Sequence, residues 1–379
     1  MHPSPDLTIS LVNWNTRELV CECIESIRRS TGSIEVEIVV VDNDSKDGSV
    51  EAIGSRFPDV HLITNRDNLG FTRANNQAWS VARGRHFMLL NSDTVVLPGA
   101  LDRMVAHLDE HPDVGAVAAR TWLDDQQTLE LAALPPLGPL TVLCASSDAL
   151  RRFAPLDRFH RESRRIWRGE EDVEVRALVG ACFMVRGDIR DRLGPLDENM
   201  FMYFEDADWS HKIHSMGLRM MVLHDAFIVH YHDKSGSNNP KKDRIFEESM
   251  VVFYKKMYGP ATLAALATAM RLRAPLDRIY GVLKRRISPD PEATPIPLDD
   301  PILRWPPIRG AERYLIEIGL DPAFAAIAGR YVGGTEIDLS ALATPETVGR
   351  SYHWRVFGVE KNGTLQRGTV GCARTESPT

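Results

Sequence analysis

The chain of 379 residues contains few cysteines, has no excess of basic over acidic residues and contains no long apolar run. Its five cysteines are scattered and odd in number, which argues against a disulfide framework and favours a reducing compartment. The net charge of −7 and the pI of about 6.0 argue against a general nucleic-acid-binding protein. The longest apolar candidate, Ala261–Met270, is about half as long as a membrane span.

The N-terminal residues Met1–Asp6 contain neither the basic start nor the apolar core of a secretory signal peptide. Charged residues make up 26% of the chain and apolar residues 43%, as is ordinary for a soluble globular protein. The length allows two or three domains. We therefore expect a cytoplasmic protein.

What the sequence does contain is an apolar run of strand length that ends in a cluster of oxygen-bearing side chains. His86–Leu90 is followed directly by Asn91, Ser92 and Asp93. In an open α/β sheet, ligands bind where strands end. A carboxylate beside an amide suits a hard divalent cation that keeps most of its ligand positions for substrate phosphates. A strand-to-helix turn capped by Ser92 or Asp93 explains the same triplet equally well.

Strand-like and helical patterns alternate five times between Leu7 and Ala119, with short connections. This alternation predicts an α/β fold with a Rossmann-like, mostly parallel sheet and helices on both faces. Three strand ends carry acids or amides, namely Asn13 with Asn15, Asp42 with Asp44, and Asn91 with Asp93. Because such ends meet at one edge of a parallel sheet, we expect a nucleotide there.

Beyond this region the patterns are less regular. Between Thr121 and Glu174 the periodicity fades while Pro and Arg accumulate, which predicts an irregular or partly helical insertion such as a lid facing an acceptor. A strand is predicted at Ala177–Val185. The aromatic run Met200–Phe204 then leads into a helix that begins with the acidic segment Glu205–Asp208.

Together these segments resemble the inverting glycosyltransferases of family 2, which have the GT-A fold, and among them the rhamnosyltransferase-like branch. The matching segments span about residues 7–235 in family order. They are Val12–Asn15, Val41–Ser49, Asn68–Phe71, Leu89–Asp93, Gly180–Met184, Asp197–Asn199, Tyr203–Asp208 and Val229–His230. The ordered set, rather than any single segment, carries the resemblance.

The resemblance implies roles for particular residues. Asp206, in a Glu205–Asp206 motif that forms the catalytic pair, corresponds to the general base. Asp93 corresponds to the last acid of an Asp-x-Asp metal motif and His230 to the histidine that completes the metal site, with Mg²⁺ or Mn²⁺ as the cofactor. The residues predicted to bind the donor are Asn13, Asp42, Asp44, Asn68, Gly70, Asn91 and Asp93.

One departure from the family pattern concerns Asn91, which stands where many members have the first Asp of the metal motif. An amide can hydrogen-bond a ribose hydroxyl, but it supplies no charge and is a weaker metal ligand. Metal dependence is therefore less strongly predicted than the fold.

The chemistry of sugar transfer requires the same residue types. A divalent cation neutralises the charge that builds up on the leaving phosphates, and one positioned carboxylate takes the proton of the attacking hydroxyl. A single displacement inverts the anomeric centre without an enzyme nucleophile.

Structural alternatives exist for each residue: Asp42 and Asp44 as turn formers, Asp206 as a helix cap, and His230 as a hydrogen-bonded strand-end histidine. Weaker candidates for phosphate contact are Arg66, Arg73, His232 and Lys234.

The C-terminal third is predicted to be separate from the catalytic domain at residues 1–237. A helical extension, 238–287, mixes apolar and basic residues and fits either an anionic membrane surface or the catalytic domain. Residues 288–301 contain five prolines and several acids and are predicted to be a linker. Residues 302–379 resemble a fibronectin type III sandwich with Trp305, Tyr314 and Trp354 in its core. A chain that ends near Ile287 is therefore expected to fold.

The favoured function is an inverting, metal-dependent glycosyltransferase. Its expected donor is a dTDP- or UDP-sugar such as dTDP-rhamnose, and its expected acceptor is a cell-surface polysaccharide or a polyprenol-linked glycan. An alternative is a sugar nucleotidyltransferase, although Val12–Asn15 stands where its glycine-rich phosphate loop would be. A non-catalytic glycan-binding protein is a third possibility, favoured by Asn91 and opposed by the presence of Asp93, Asp206 and His230. No nucleic-acid partner is expected, and the oligomeric state is open.

Overall fold

The computed structural model describes residues 4–134, 138–139, 143, 160–231, 240–287, 293–320, 326–344 and 347–376, with the backbone alone at 240, 270, 273–287 and 326. The chain forms two compact units. The first consists of Met1–Thr121 and Gly169–Pro260, and the second of Trp122–Arg168 and Ala261–Thr379. These units differ from the predicted division at residues 237, 287 and 301, because the insertion groups with the C-terminal third.

The strands, in chain order, are β1 Leu7–Asn13, β2 Val36–Asp42, β3 His61–Thr64, β4 His86–Asn91, β5 Thr94–Val96, β6 Val114–Trp122, β7 Glu130–Leu131, β8 Val173–Glu174, β9 Cys182–Val185, β10 Arg219–His230, β11 Ala293–Pro297, β12 Ile302–Arg304, β13 Arg313–Gly319, β14 Ala326–Val332, β15 Glu336–Asp338, β16 Ser351–Val359 and β17 Leu365–Glu376. The helices are α1 Arg17–Ser30, α2 Ser49–Arg56, α3 Gly70–Val81, α4 Ala100–Glu110, α5 His160–Arg168, α6 Arg190–Leu193, α7 Glu205–Ser215 and α8 Pro240–Ile287. Among the described helices, none is both long enough and apolar enough to cross a membrane.

The first unit is built on a sheet whose strands β3, β2, β1 and β4 lie side by side and run parallel. Antiparallel β9 follows β4 and separates it from β6. β1 and β2 are buried along almost their whole length, as expected for parallel strands covered on both faces. The predicted α/β fold with a mostly parallel sheet is confirmed.

Helix α7 is fixed to this sheet by an aromatic contact. Trp209, on α7, is 1% exposed. The centre of its ring lies 5.2 Å from that of Trp79, 5.9 Å from that of Phe183 and 6.4 Å from that of Phe87. Tilted and edge-to-face rings at these separations attract one another beyond their burial. The first turn of α7 therefore has a defined position.

The second unit contains a sheet in the order β11, β17, β16, β13, β14 and β7, and a separate pair of strands, β12 and β15. The predicted core aromatics are confirmed, since Trp305, Tyr314 and Trp354 are all buried in one hydrophobic cluster. Tyr352, the second residue of β16, donates its hydroxyl to the carbonyl of Leu342 at 3.1 Å.

The predicted linker at 288–301 differs from the structure. Ala293–Pro297 is a strand that pairs in parallel with Cys372–Glu376 of β17, while residues 288–292 lie outside the described part. Proline lacks a backbone N–H, so it is tolerated only at the edge of a sheet, which is where β11 lies.

The predicted lid is also different, because its described residues are a structural part of the second unit. β7 extends the sheet antiparallel to β14, pairing Leu131 with Ala328. Trp167 of α5 donates to the carbonyl of Leu131 at 3.2 Å and packs directly over Gly329. A Cβ atom on Gly329 would lie 2.6 Å from the Trp167 ring.

A buried charge group ties the insertion to the C-terminal strands. Glu317 on β13 is 0% exposed. It accepts a hydrogen bond from Arg164 of α5 at 2.7 Å and a second, shorter one from Arg355 of β16. Both guanidinium groups lie over the ring of Phe357. Removing either arginine would leave Glu317 undercompensated in a buried position, which is costly.

Removal of residues 288–379 should therefore prevent normal folding instead of leaving an intact catalytic domain. Leu129 is buried in the cluster that also contains Trp305 and Trp354, and Trp167 is covered by Gly329, so both would become exposed. We expect low soluble yield and loss of a cooperative melt for the chain ending at Ile287. Soluble expression and thermal denaturation beside the full chain measure this.

A point variant tests the same contact in the full chain. Gly329→Val should lower stability by about 1–3 kcal/mol, because the added side chain overlaps Trp167. Gly333→Val is the matched control, since no atom lies within 4 Å of a Cβ at that position. A soluble, cooperatively melting 1–287 fragment, together with equal melting of the two glycine variants, would favour independent domains.

Candidate functional site

The carboxyl ends of β1 and β2 are joined by polar side chains. Asn13 donates from Nδ2 to Asp42 Oδ2 at 2.7 Å and to Ser45 Oγ at 3.1 Å. The other oxygen of Asp42 accepts the backbone N–H of Ser45 at 2.9 Å. Asp42 is 1% exposed. The structure thus brings Asn13 and Asp42 together and uses Asp42 to order the turn after β2.

A short chain of hydrogen bonds connects this group to the end of β4. Thr16 donates from Oγ1 to Asn13 Oδ1 at 2.7 Å, and the hydroxyl oxygens of Thr16 and Ser92 lie 3.3 Å apart. Because Ser92 stands between Asn91 and Asp93, the ends of three neighbouring parallel strands, β2, β1 and β4, form one polar edge.

Asn91, Asp93 and His230 lie together at that edge. Nε2 of His230 lies 3.2 Å from Asp93 Oδ1 and 3.2 Å from Asn91 Nδ2. β5 and β10 enforce this arrangement, since Thr94 pairs with His230 and the backbone N–H of Tyr231 donates to the carbonyl of Asp93 at 3.1 Å. Asp93 and His230 are each 6% exposed. The predicted metal residues are therefore neighbours in the fold.

The first turn of α7 presents the predicted catalytic pair, Glu205 and Asp206. Asp206 accepts the backbone N–H of Gly180 at 3.0 Å and that of Ala207 at 2.7 Å. Glu205 is 5% exposed. Burial, together with the neighbouring Asp206 charge, raises the pKa of Glu205 to about 8. Burial also raises the pKa of Asp206, although the two backbone donors oppose the rise.

Two consecutive residues, Gly180 and Ala181, connect the catalytic pair to the polar edge. The N–H of Gly180 binds Asp206, and the carbonyl of Ala181 accepts the backbone N–H of Asn91 at 3.1 Å. Backbone groups of two neighbouring residues thus bind one member of the predicted catalytic pair, Asp206, and one member of the Asn91–Asp93–His230 group, Asn91.

The backbone immediately before α7 is strained. Tyr203 and Phe204 have φ angles of 74° and 68°, in the left-handed region that side chains other than glycine rarely adopt. Non-glycine residues keep such angles only where surrounding contacts enforce them, and such residues cluster at functional sites. Sequence analysis did not detect this feature, because both residues are ordinary aromatics.

Three of the predicted donor-binding residues have local structural roles. Asp44 has a φ of 65° and forms an ion pair with Lys46. Asn68 accepts the backbone N–H of Gly70 at 2.9 Å. Gly70 has a φ of 86°, and a Cβ atom there would lie 2.6 Å from the carbonyl oxygen of Phe201. These contacts explain the NLGF motif by packing, and its contact with a donor stays a prediction.

Two of the four weaker phosphate-contact candidates lie in the described part of the chain. Arg66 is exposed. Arg73 lies 3.6 Å from Glu198. His232 and Lys234 lie outside the described residues.

One residue that sequence analysis did not consider is Trp14, which is 43% exposed between Asn13 and Asn15. Asn15 has a φ of 54° and accepts the backbone N–H of Lys46 at 2.7 Å, so this turn is well ordered. An exposed indole at the edge of a sheet can stack on a planar ring such as a base. The available signal was an aromatic residue between two amides at a strand end.

A second acid–histidine group in the first unit consists of Asp172, His224 and Asp225, whose ligand atoms lie within 4.8 Å of one another. Such a group could hold a metal ion. However, Arg103 lies 2.8 Å from both Asp172 and Asp225 and already supplies positive charge there. The predicted metal residues Asp93 and His230 are not part of this group.

The first part of the chain matches a known protein family. Residues 8–138 match the family model described as Glycosyl transferase family 2. The matched segment contains the polar ends of β1, β2 and β4 described above.

Several known proteins are similar to this chain. It is 24% identical over 218 residues to N-acetylglucosaminyl-diphospho-decaprenol L-rhamnosyltransferase of Mycobacterium tuberculosis, covering 54% of this chain and 69% of that protein. It is 36% identical over 145 residues to the succinoglycan biosynthesis protein ExoO of Rhizobium meliloti, covering 35% of this chain and 40% of that protein. Among solved structures, the mannosyltransferase PcManGT of Pyrobaculum calidifontis, in complex with GDP-Man and Mn²⁺, has a TM-score of 0.43 and 20% identity, covering 75% of this chain and 81% of that one.

The raised pKa of Glu205 makes stability depend on pH. The folded state holds the Glu205 proton up to about pH 8, whereas the unfolded chain loses it near 4.5. The folded state therefore binds more protons between these values, and its stability should fall as pH rises through that window. Glu205→Gln should remove this part of the fall, so the variant gains in melting temperature relative to the parent between about pH 5 and pH 8.

Thermal denaturation over a series of pH values measures the difference. Glu110→Gln, which changes an exposed acid at the end of α4, serves as the control and should run parallel to the parent. Parallel curves for Glu205→Gln and the parent would show that Glu205 ionises normally in the folded state.

Proposed function

We propose that this protein is an inverting glycosyltransferase that moves a sugar from a nucleoside diphosphate sugar to a hydroxyl group of a glycan precursor. One observation carries the proposal: the N–H of Gly180 binds Asp206 of the carboxylate pair, and the carbonyl of the next residue, Ala181, binds Asn91 of the Asn91–Asp93–His230 group. A base for the acceptor and a cation site for the donor phosphates are what a single displacement needs.

The residues at the polar edge fit a divalent cation. Asp93 Oδ1 and His230 Nε2 lie 3.2 Å apart. Two adjacent ligands of an octahedral Mg²⁺ or Mn²⁺ at about 2.1 Å from the ion are separated by about 3 Å. Asp93 and His230 would hold the ion, leaving other positions for phosphate oxygens. When bound, the ion neutralises the charge on the leaving diphosphate.

Asn91 limits the charge of this site. With an amide in place of a second carboxylate, Asp93 is the single negative ligand within the Asn91–Asp93–His230 group. Lower charge reduces affinity for a hard cation, so we propose that the donor diphosphate and the ion bind cooperatively.

Asp206 is the proposed base. Its two backbone donors fix the carboxylate in place, and its raised pKa brings it closer to that of an effective proton acceptor near neutral pH. Glu205 is neutral below about pH 8 and therefore does not compete for the proton. It is proposed to support the orientation of Asp206.

For the donor and acceptor, the proposal follows the similar proteins. The similarity to an L-rhamnosyltransferase named for a decaprenol-linked acceptor supports transfer of rhamnose to a lipid-linked acceptor. The proposed dTDP- or UDP-sugar donor, such as dTDP-rhamnose, and the alternative polysaccharide acceptor follow from the resemblance seen in the sequence. Trp14 is proposed to stack on the donor base. Arg271 and Leu272 of α8 are both exposed, which suits peripheral contact with an anionic membrane at its cytoplasmic face.

We also propose that residues 302–376 form a fibronectin type III-like sandwich. The hydrogen bond from Tyr352 near the start of β16 to Leu342 is typical of the tyrosine corner of such sandwiches. The buried rings of Trp305 and Tyr314, 5.9 Å apart, support the same interpretation.

Loss of the carboxylate at position 93 should weaken metal-dependent donor binding. Asp93→Asn keeps the side-chain shape but removes the proposed site's negative charge, so we expect at least a tenfold loss of Mn²⁺-dependent affinity for a nucleotide sugar. Thermal shift and calorimetric titration with and without the ion measure it. Asp225→Asn, in the second acid–histidine group, is the control and should bind the donor like the parent. If Asp225→Asn loses the metal-dependent affinity and Asp93→Asn keeps it, the metal site is the group of Asp172, His224 and Asp225.

Asp206→Asn should separate a base from a helix cap. The amide oxygen can accept only one of the two backbone N–H groups, because Gly180 binds Oδ2 and Ala207 binds Oδ1, so stability should fall by about 1–2 kcal/mol. Transfer should fall by about 100-fold or more, because an amide cannot take the acceptor proton. Donor affinity should remain, since the base acts on the other substrate.

Initial transfer rates and melting temperatures of the same preparations are the measurements. Glu51→Gln, which changes an acid in the first turn of α2, is the matched control and should leave both unchanged. A well-folded Asp206→Asn protein with parental transfer rates would disprove the assignment.

A further inference from the structure

The acidic start of α7 contains a third carboxylate that the proposed reaction does not use. Asp208 is completely buried, with an exposed fraction of 0%. Its Oδ1 lies 2.8 Å from Lys256 Nζ, and its Oδ2 lies 3.2 Å from Lys212 Nζ. Lys256, on α8, also lies 2.7 Å from Asp197 Oδ2. One ammonium group therefore joins α7, α8 and the loop before α7.

The charges in this group balance, with two carboxylates and two ammonium groups. Burial opposes ionisation of Asp197, but Lys256 and Asn199 outweigh it and lower the Asp197 pKa. Burial also opposes the charge of Lys256, but Asp197 and Asp208 outweigh it and raise the Lys256 pKa. A carboxylate as buried as Asp208 is stable as an anion only when it is paired.

The first half of α8 also supports the strained backbone before the catalytic pair. Ser249 donates its hydroxyl to the carbonyl of Met202 at 2.8 Å. The ring of Phe204 lies 5.0 Å from that of Phe246 and 5.4 Å from that of Phe253. Contacts from α8 thus enforce left-handed Phe204 directly beside Glu205.

We infer that Lys256 is a positioning residue for the transfer reaction, which holds the start of α7 in place and offsets the Asp208 charge so that Asp206 can ionise. This inference rests on the proposed function. Among the described residues, Glu205 is the adjacent acid whose pKa responds to the Asp206 charge, and the backbone N–H groups of Gly180 and Ala207 donate to Asp206. Without Lys256, the ammonium group of Lys212 alone would offset the negative charge of Asp208. The added negative charge two residues away would then make Asp206 retain its proton to higher pH.

The test is the pH profile of transfer by Lys256→Met in the full chain. Transfer needs ionised Asp206, so activity is lost as pH falls through its pKa. The acidic limb should move to higher pH by about half to one unit, with a ~3–10-fold lower rate on that limb and an unchanged KM for the donor. Lys256→Arg keeps the charge and should restore most of the limb. Lys255→Met, its exposed neighbour, should behave like the parent.

A double variant distinguishes this role from a purely structural one. Asp208→Asn removes the negative charge that Lys256 offsets. The acidic limb of the Asp208→Asn, Lys256→Met double variant should therefore lie at the same pH as that of Asp208→Asn alone. A parental limb in Lys256→Met, or a further shift in the double variant, overturns the inference. If Lys256→Met is insoluble, the position of the acidic limb in the double variant decides the question. If the double variant is insoluble too, Lys256 serves folding alone and the inference is overturned.

The proposed function and this inference fail in different ways. A parent protein that turns over no member of a nucleotide-sugar panel, with Mg²⁺ or Mn²⁺, defeats both. If the parent is active and Lys256→Met has the same acidic limb as the parent, only the inference is overturned and the proposed function stands.

Discussion

Three carboxylates lie within four residues at the start of α7, two of them buried and that of Asp206 half-buried, and each must offset the cost of leaving water. Glu205 does so by remaining protonated, Asp206 by accepting backbone N–H groups, and Asp208 by pairing with two lysines. The positive end of the α7 dipole favours charge in this first turn. Each solution is different because each side chain meets a different neighbour.

The polar edge of the sheet follows from a second constraint. Parallel strands present their carboxyl ends together, so residues far apart in sequence become neighbours without any long loop. Asn13, Asp42 and Asn91 meet in this way. His230 reaches the same place by the opposite route, at the end of antiparallel β10. A single carboxylate among Asn91, Asp93 and His230 keeps the repulsion in this group low, at the expense of cation affinity.

The pattern of the sequence was sufficient for the parallel sheet and for the residues at its edge, because both depend on local periodicity and on strand ends. It was insufficient where the partner lies far away in the chain. Nothing near Trp167 signals that Gly329 will lie beneath it, and nothing in Ala293–Pro297 signals a pairing with Cys372–Glu376. The left-handed angle of Phe204 depends equally on distant contacts, which come from α8. Gly70, by contrast, has a packing role that its motif did not signal, since its absent side chain makes room for Phe201, while its contact with a donor stays a prediction.

The second unit shows why an insertion with weak periodicity can still be essential. Glu317 is buried on the central strand β13 and needs two guanidinium groups to remain charged. One comes from β16 and the other from α5, so neither chain segment can form this pair alone. Burial opposes the charge of Glu317, but Arg164 and Arg355 outweigh it and lower the Glu317 pKa. Because the pair is complete only when both segments are present, the unit is formed by two separate stretches of chain that depend on each other. The helix carrying Arg164 is thus held in position by electrostatics, even though its sequence shows little sign of the strand that it supports.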